Sequence, residues 1–127
     1  MANVLCVDGD SERARELSGR LERNGHTVKT VRSTERAMLE IESGAQIDAL
    51  VVCVYLPGTD GAELCRWLRK RPGSDGIRTV AFTPCARPLP DYLRATKRLW
   101  LPADLFLDGA CDMGRLAESL GTAIAGS

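Results

Sequence analysis

Hydrophobic and polar positions in this chain fall into short apolar runs that alternate with amphipathic stretches, five of each. Residues 3–7 are apolar with no polar alternation, the pattern of a strand buried on both faces. Ala14, Leu17 and Leu21 then recur at helical spacing, with Asp10 or Ser11 placed to cap that helix and Asn24-Gly25 to stop it. Residues 26–31 alternate and predict a second strand. Ser33 starts a helix carrying Ala37, Met38 and Ile41, which stops at Gly44. Residues 49–54 are the most hydrophobic stretch and predict the central strand. Leu56-Pro57-Gly58-Thr59 breaks it, and Asp60 opens a third helix with Leu64, Cys65 and Leu68 on one face, ended by Pro72-Gly73-Ser74. Residues 77–82 predict a fourth strand. Pro84, Pro88 and Pro90 keep the next segment irregular until a short helix from about Asp91. Residues 104–107 predict a brief fifth strand, and Asp112 caps a last helix through Leu116 and Leu120.

Five strands alternating with five helices predict a parallel sheet wrapped by helices on both faces, joined by right-handed crossovers. Ligands of such sheets sit beyond the carboxyl ends of the strands. The positions that matter are therefore residues 8–10, 53–56, Thr83 and residues 108–110.

Composition narrows the function classes. At 127 residues the chain fits one domain with a core of its own. Seventeen basic and seventeen acidic residues give a formal net charge of zero, so no global field draws it onto nucleic acid or anionic lipid. Arg66, Arg69, Lys70 and Arg71 cluster in sequence, which reads first as a solvated helix face. The five cysteines are scattered without a C-x-x-C pair, and Cys6, Cys53 and Cys65 lie in apolar runs, as small buried hydrophobes do. No signal-peptide pattern and no apolar run of about 20 residues is present. These features predict a cytoplasmic protein with reduced thiols. His26 is the sole histidine, which excludes a histidine triad.

Four segments carry a family resemblance. They are Val4-Leu5-Cys6-Val7-Asp8-Gly9-Asp10, then residues 49–61 with their trailing Pro57-Gly58-Thr59-Asp60-Gly61, then Val80-Ala81-Phe82-Thr83, and Pro102-Ala103-Asp104-Leu105-Phe106-Leu107. In this order and spacing the chain resembles the receiver domain of two-component response regulators over essentially its full length. The resemblance implies a flavodoxin-like (βα)5 fold, a doubly wound five-stranded parallel sheet of order 2-1-3-4-5. It implies a signalling module rather than an enzyme. In the family an aspartate ending the third strand accepts a phosphoryl group from a kinase histidine, two acids after the first strand help hold Mg²⁺, and a hydroxyl and a lysine steady the phosphoryl oxygens.

Carried over residue by residue, most of that apparatus is absent. Cys53 stands at the phosphoacceptor position, Gly9 at the second acidic position, and Gly109 with Ala110 where the family has Lys-Pro. Only Asp8 and Thr83 match, with Asp10 as a nearby carboxylate. A thiolate serves Mg²⁺ poorly and a missing carboxylate removes a hard oxygen ligand, so the sequence predicts neither metal nor cofactor and no aspartyl phosphorylation. Asp10 has a competing role as a helix cap, and Cys53 as a neutral filler. A redox role for Cys53, paired with Cys85, is disfavoured because no basic residue is predicted beside it while Asp8 and Asp10 raise its pKa. A flavin site is disfavoured too, since the carboxylates of residues 8–12 repel phosphate.

Surface expectations follow. Trp67 falls outside the inward stripe of the third helix, between Arg66 and Arg69, and reads as an exposed interface anchor or a tryptophan lying flat on the helix. Tyr92 and the run Leu99-Trp100-Leu101-Pro102 make a second apolar patch beside Phe106, which stands where the family keeps a switch aromatic. The expectation is a stand-alone degenerate receiver spanning residues 1–127 with no output domain. Its partner is a histidine kinase or another regulator, or a second copy in a homodimer, without nucleic acid or membrane. The rival readings are a phosphoreceiver built from unusual residues and, behind it, a Cys53 redox sensor.

Overall fold

In the computed structural model, which describes residues 2–56, 60–84, 87–108 and 113–125, the strands are β1 (Asn3–Val7), β2 (Thr27–Val31), β3 (Ala49–Cys53), β4 (Arg78–Phe82) and β5 (Leu105–Leu107). The helices are α1 (Ser11–Arg23), α2 (Thr34–Glu42), α3 (Gly61–Lys70), α4 (Asp91–Ala95), α5 (Lys97–Trp100) and α6 (Met113–Ala125). The strands are all parallel, in the order β2-β1-β3-β4-β5. The doubly wound sheet expected from the sequence is thus found.

Alternation of side chains along each strand divides the interior into two layers. Val4, Cys6, Val51, Cys53, Val80 and Phe82 pack with Leu17 and Leu21 of α1 and Leu116 and Leu120 of α6. On the other face Leu5, Val7, Leu50, Val52 and Ala81 pack with Ala37 and Ile41 of α2 and Leu64, Cys65 and Leu68 of α3. Every residue of β3 is buried, as the central strand requires, whereas edge strand β2 is mostly exposed.

Three helices begin on side-chain caps. Asp10, Ser33 and Asp60 each accept the N–H three residues on, from Arg13, Arg36 and Glu63. Such caps contribute about 1 kcal/mol each. The α1 stop at Asn24 and Gly25 (φ +93°) matches the sequence expectation. Asp112 lies outside the described residues.

The helix expected between the fourth and fifth strands is instead two short pieces, α4 and α5, so six helices rather than five stand among the described residues. The break is at Thr96 (φ −108°, ψ 12°), whose hydroxyl donates back to the Tyr92 carbonyl at 2.9 Å. A hydroxyl that competes for main-chain groups favours an interruption, and α4 buries no residue that would resist it.

One close approach fixes how α3 leaves the sheet. The Gly61 N–H donates to the Val54 carbonyl at 2.7 Å, and a Cβ at position 61 would lie 2.3 Å from the Cys53 carbonyl oxygen. No side chain fits there without moving the helix off the strand. Gly61→Ala is expected to cost about 1–3 kcal/mol through overpacking, read as a lower urea midpoint with an unchanged slope.

Candidate functional site

The pocket lies where the parallel strands end together. Asp8 follows β1 and its side chain is fully buried. A buried carboxylate needs charged or hydrogen-bonding partners, and Arg13 supplies them from the first turn of α1. Arg13 Nε donates to Asp8 Oδ2 at 2.6 Å and Nη2 to Oδ1 at 2.7 Å, a two-pronged pair. The Asp10 N–H donates to Asp8 Oδ1 at 3.0 Å. These hydrogen bonds from Arg13 to Asp8 raise the guanidinium pKa above its already high ordinary value. The guanidinium lies 5.8 Å from the Phe82 ring centre and 3.6 Å from Asp10 Oδ2. Asp10 itself is exposed and acts as the α1 cap; the Arg13 N–H bond, with the Arg13 charge, holds its carboxyl below the usual range.

Cys53 closes the inner end. It is buried, and its Sγ accepts from Arg13 Nη2 at 3.7 Å. The expectation that no basic residue stands beside it is therefore corrected: the side chain of Arg13 reaches from α1 to the end of β3. The thiol is nonetheless not activated. Burial pushes its pKa up to about 11 and Asp8 adds to the rise, while the Tyr55 N–H and Arg13 pull the other way with less effect. Burial likewise pushes Cys6 and Cys65 up to about 12. Gly9 contributes only a carbonyl, which accepts from Arg32 Nη2 at 3.2 Å. Gly109, Ala110, Cys85 and residues 57–59 lie outside the described residues.

Thr83, buried after β4, donates its hydroxyl to Asp108 Oδ1 at 2.7 Å. Asp108 also accepts the Leu89 N–H at 3.0 Å and Arg94 Nε at 2.5 Å. Burial works against the Asp108 charge, yet the bonds from Thr83, Leu89 and Arg94 outweigh it and hold the carboxyl below its ordinary value. The sequence pattern marks Asp108 by its place after the fifth strand but marks neither Arg13 nor Arg94 as a site residue. The signal available for Arg13 was its place three residues after the Asp10 cap, since helical side chains lean toward the helix N-terminus.

A divalent cation of the kind the family resemblance implies does not fit this donor set. Both Asp8 oxygens are taken by a guanidinium, Cys53 carries a protonated thiol, and Gly9 has no side chain. Among the described residues no group of three or more His, Cys, Asp or Glu could hold a metal ion.

The surface candidates fall into two kinds. Trp67 is half-buried against the α2–α3 side of the core, with the Arg71 guanidinium 5.4 Å from its ring centre, so it is neither fully exposed nor without a partner. Trp100 is also half-buried; its Nε1 donates to the Leu93 carbonyl at 3.1 Å and pins α5 to α4. Phe106 is half-buried beneath Lys97, whose Nζ lies 6.0 Å from the ring centre. Tyr92 and Leu99 stand out into solvent, 70% and 85% exposed. The basic run of α3 is not simply a solvated face: Arg66 donates to the Trp100 carbonyl at 2.6 Å, and Arg69 to Asp104 at 2.9 Å and the Pro102 carbonyl at 3.2 Å. Among the described residues no helix is long and apolar enough to cross a membrane.

Comparison with known proteins agrees with this architecture. Residues 4–118 match the response regulator receiver domain family, and the chain belongs to that family. It is similar to the transcriptional regulatory protein TcrA of Mycobacterium tuberculosis, 37% identical over 68 residues, which are 54% of this chain and 26% of TcrA. Response regulator MprA of Mycobacterium ulcerans is 39% identical over 66 residues, 52% of this chain and 28% of MprA. The matched segments thus span only about a quarter of these relatives. Among solved structures, the receiver domain of a signal transduction histidine kinase from Syntrophus aciditrophicus superposes with a TM-score of 0.84 at 27% identity, covering 99% of this chain and 92% of that one. A two-component response regulator from Clostridium difficile shares the fold at a TM-score of 0.81 and 21% identity, covering 98% of this chain and 97% of that one. The chain is a receiver domain of two-component signalling, a class of module that works through histidine kinases or other regulators.

Two outcomes are expected of the pocket. Arg13→Ala leaves Asp8 buried and unpaired. Because Arg13 is partly solvent-reached, the loss should fall toward the low end of the roughly 3–5 kcal/mol typical of a broken buried pair, read by urea denaturation. Raising a thiol pKa from 9.0 to about 11 leaves roughly a hundredfold less thiolate at pH 8. Iodoacetamide should therefore label Cys53 at least that much more slowly in the native protein than in urea.

Proposed function

We propose that this receiver domain signals by protein–protein interaction without being phosphorylated. The observation that carries the reading is the bidentate Arg13–Asp8 pair. It places a fixed cation of the chain itself against the acid that would otherwise help hold a metal ion. Cys53 at the acceptor position and Gly9 at the second acidic position support it, as does Gly109 in place of lysine. In phosphoryl transfer to a carboxylate, most of the work is charge neutralisation and positioning. Here the acceptor carboxylate is missing and the guanidinium already satisfies the remaining acid.

Such a domain conveys information through the surface it presents. The exposed pair Tyr92 and Leu99, beside half-buried Trp100 and Phe106, is the surface we favour for a kinase, another regulator or a second copy; Trp67 is the subsidiary candidate. A role in histidine-kinase signalling supports a cytoplasmic location. The transcriptional role printed for TcrA belongs to that longer protein.

Incubation with acetyl phosphate and Mg²⁺ tests this reading by intact-mass spectrometry. No phosphoryl adduct is expected, and none with Cys53→Asp alone, because Arg13 remains in the pocket and pairs with the new carboxylate. A stable aspartyl adduct on the unmodified protein overturns the proposal and restores the rival reading of a phosphoreceiver using unusual residues.

A further inference from the structure

Leu89 is buried between the end of β4 and the start of α4. Its backbone is gripped on both sides. The N–H donates to Asp108 Oδ1 at 3.0 Å, and the carbonyl accepts from Arg94 Nη2 at 3.0 Å. Arg94 Nε in turn holds Asp108 Oδ2 at 2.5 Å, and Nη1 reaches Asp91 Oδ1 at 3.0 Å. Thr83 closes the set from below by donating to the same Asp108 Oδ1 at 2.7 Å. Two contacts hold the incoming chain: the Tyr55 hydroxyl donates to the Pro88 carbonyl at 3.2 Å, and the Arg87 guanidinium sits 3.9 Å from the Tyr55 ring centre.

Apolar packing holds this segment only in part, through buried Leu89 and half-buried Leu93. α4 has five residues and buries none of them, and a helix of that length is not self-supporting in water. Leu89 is the single fully buried side chain of residues 87–95. The polar contacts therefore supply order that this thin apolar packing does not. A carboxylate that accepts three hydrogen bonds, two of them to one oxygen, is well suited to that task.

We infer that Asp108 and Arg94 form a fixed strap that holds residues 87–95 in one conformation and joins Thr83, buried just after β4, to the α4 surface that carries Tyr92. The Asp108 carboxylate occupies the Thr83 hydroxyl whether or not an anion enters the pocket. In this protein residues 87–95 are held as one static unit. Arg94 is a positioning residue: it acts on the Leu89 amide through Asp108, without touching that N–H itself. The inference is independent of whether the chain accepts phosphate.

The test is amide hydrogen exchange and ¹⁵N relaxation dispersion on the full chain, wild type against Asp108→Ala and Arg94→Ala. Wild type is expected to show a protected Leu89 amide and flat dispersion across residues 87–95. Protection at Leu89 should drop by about tenfold or more in Asp108→Ala. It should also drop several-fold in Arg94→Ala, although the direct acceptor of that N–H is still present. The amides of Leu5 and Val51 should keep their protection in both variants, which separates local release from unfolding. Arg94 is half-exposed, so its variant remains informative if Asp108→Ala fails to fold. Unchanged Leu89 protection in Arg94→Ala, or millisecond exchange across residues 87–95 in wild type, would overturn the strap. Neither result bears on the mass-spectrometric outcome above.

Discussion

A carboxylate removed from water must either give up its charge or find partners that replace its hydration, and Asp8 sits at the end of β1 with no solvent exposure at all. The ways of satisfying it are few: a metal ion, a basic side chain, or a set of N–H donors. This chain uses the second with help from the third. The planar guanidinium of Arg13 matches both carboxylate oxygens, and the N–H of Asp10 adds a bond. That requirement reaches into the fold. Arg13 reaches Asp8 only if α1 starts where it does, and its start is set by Asp10, which caps the helix through the N–H of Arg13 itself. One residue thus carries both the cap contact and the pair with the buried acid.

The same solution recurs across the sheet. Asp108 at the end of β5 is held by Arg94 from α4, as Asp8 at the end of β1 is held by Arg13 from α1. Each acid lies at the carboxyl edge of the sheet, and each arginine comes from a helix that starts beyond that edge. Arg69 and Asp104 make a third, more exposed pair at the opposite end of β5. Exposed pairs contribute little on their own. The Asp8 pair differs because its carboxylate is withdrawn from solvent altogether, and Asp108 differs in also binding Thr83 and the Leu89 N–H.

Much of the fold was legible in the sequence because its signals are local and repeated. The apolar run of residues 49–54 reads as a strand buried on both faces, and Asp10, Ser33 and Asp60 act as caps where their chemistry says they should. The region from Pro84 to Trp100 was read less well. Three prolines and a five-residue helix give little periodicity to measure, and the interruption at Thr96 depends on one hydroxyl. The site was legible in its departures, Cys53 and Gly9, but not in what replaced the expected groups. Arg13 lies between Glu12 and Ala14 on a charged helix, and only its place three residues after the Asp10 cap distinguishes it from Arg15. Its reach across to Cys53 and Asp8 is a tertiary fact. The exposure of Trp67 is hard to read for a related reason: the inward stripe of α3 marks its centre well and its flank poorly, and Arg71 lies over the ring there.

A guanidinium that belongs to the chain has no dissociation constant of its own. Tethering it a few residues from its carboxylate gives it a local concentration of order millimolar or above, and its proton is not lost at any physiological pH. The positive charge in this hollow is therefore supplied by the chain itself. Chelators and swings in free magnesium, which retune a metal-loaded acidic cluster, leave in place a charge that is bonded into the backbone.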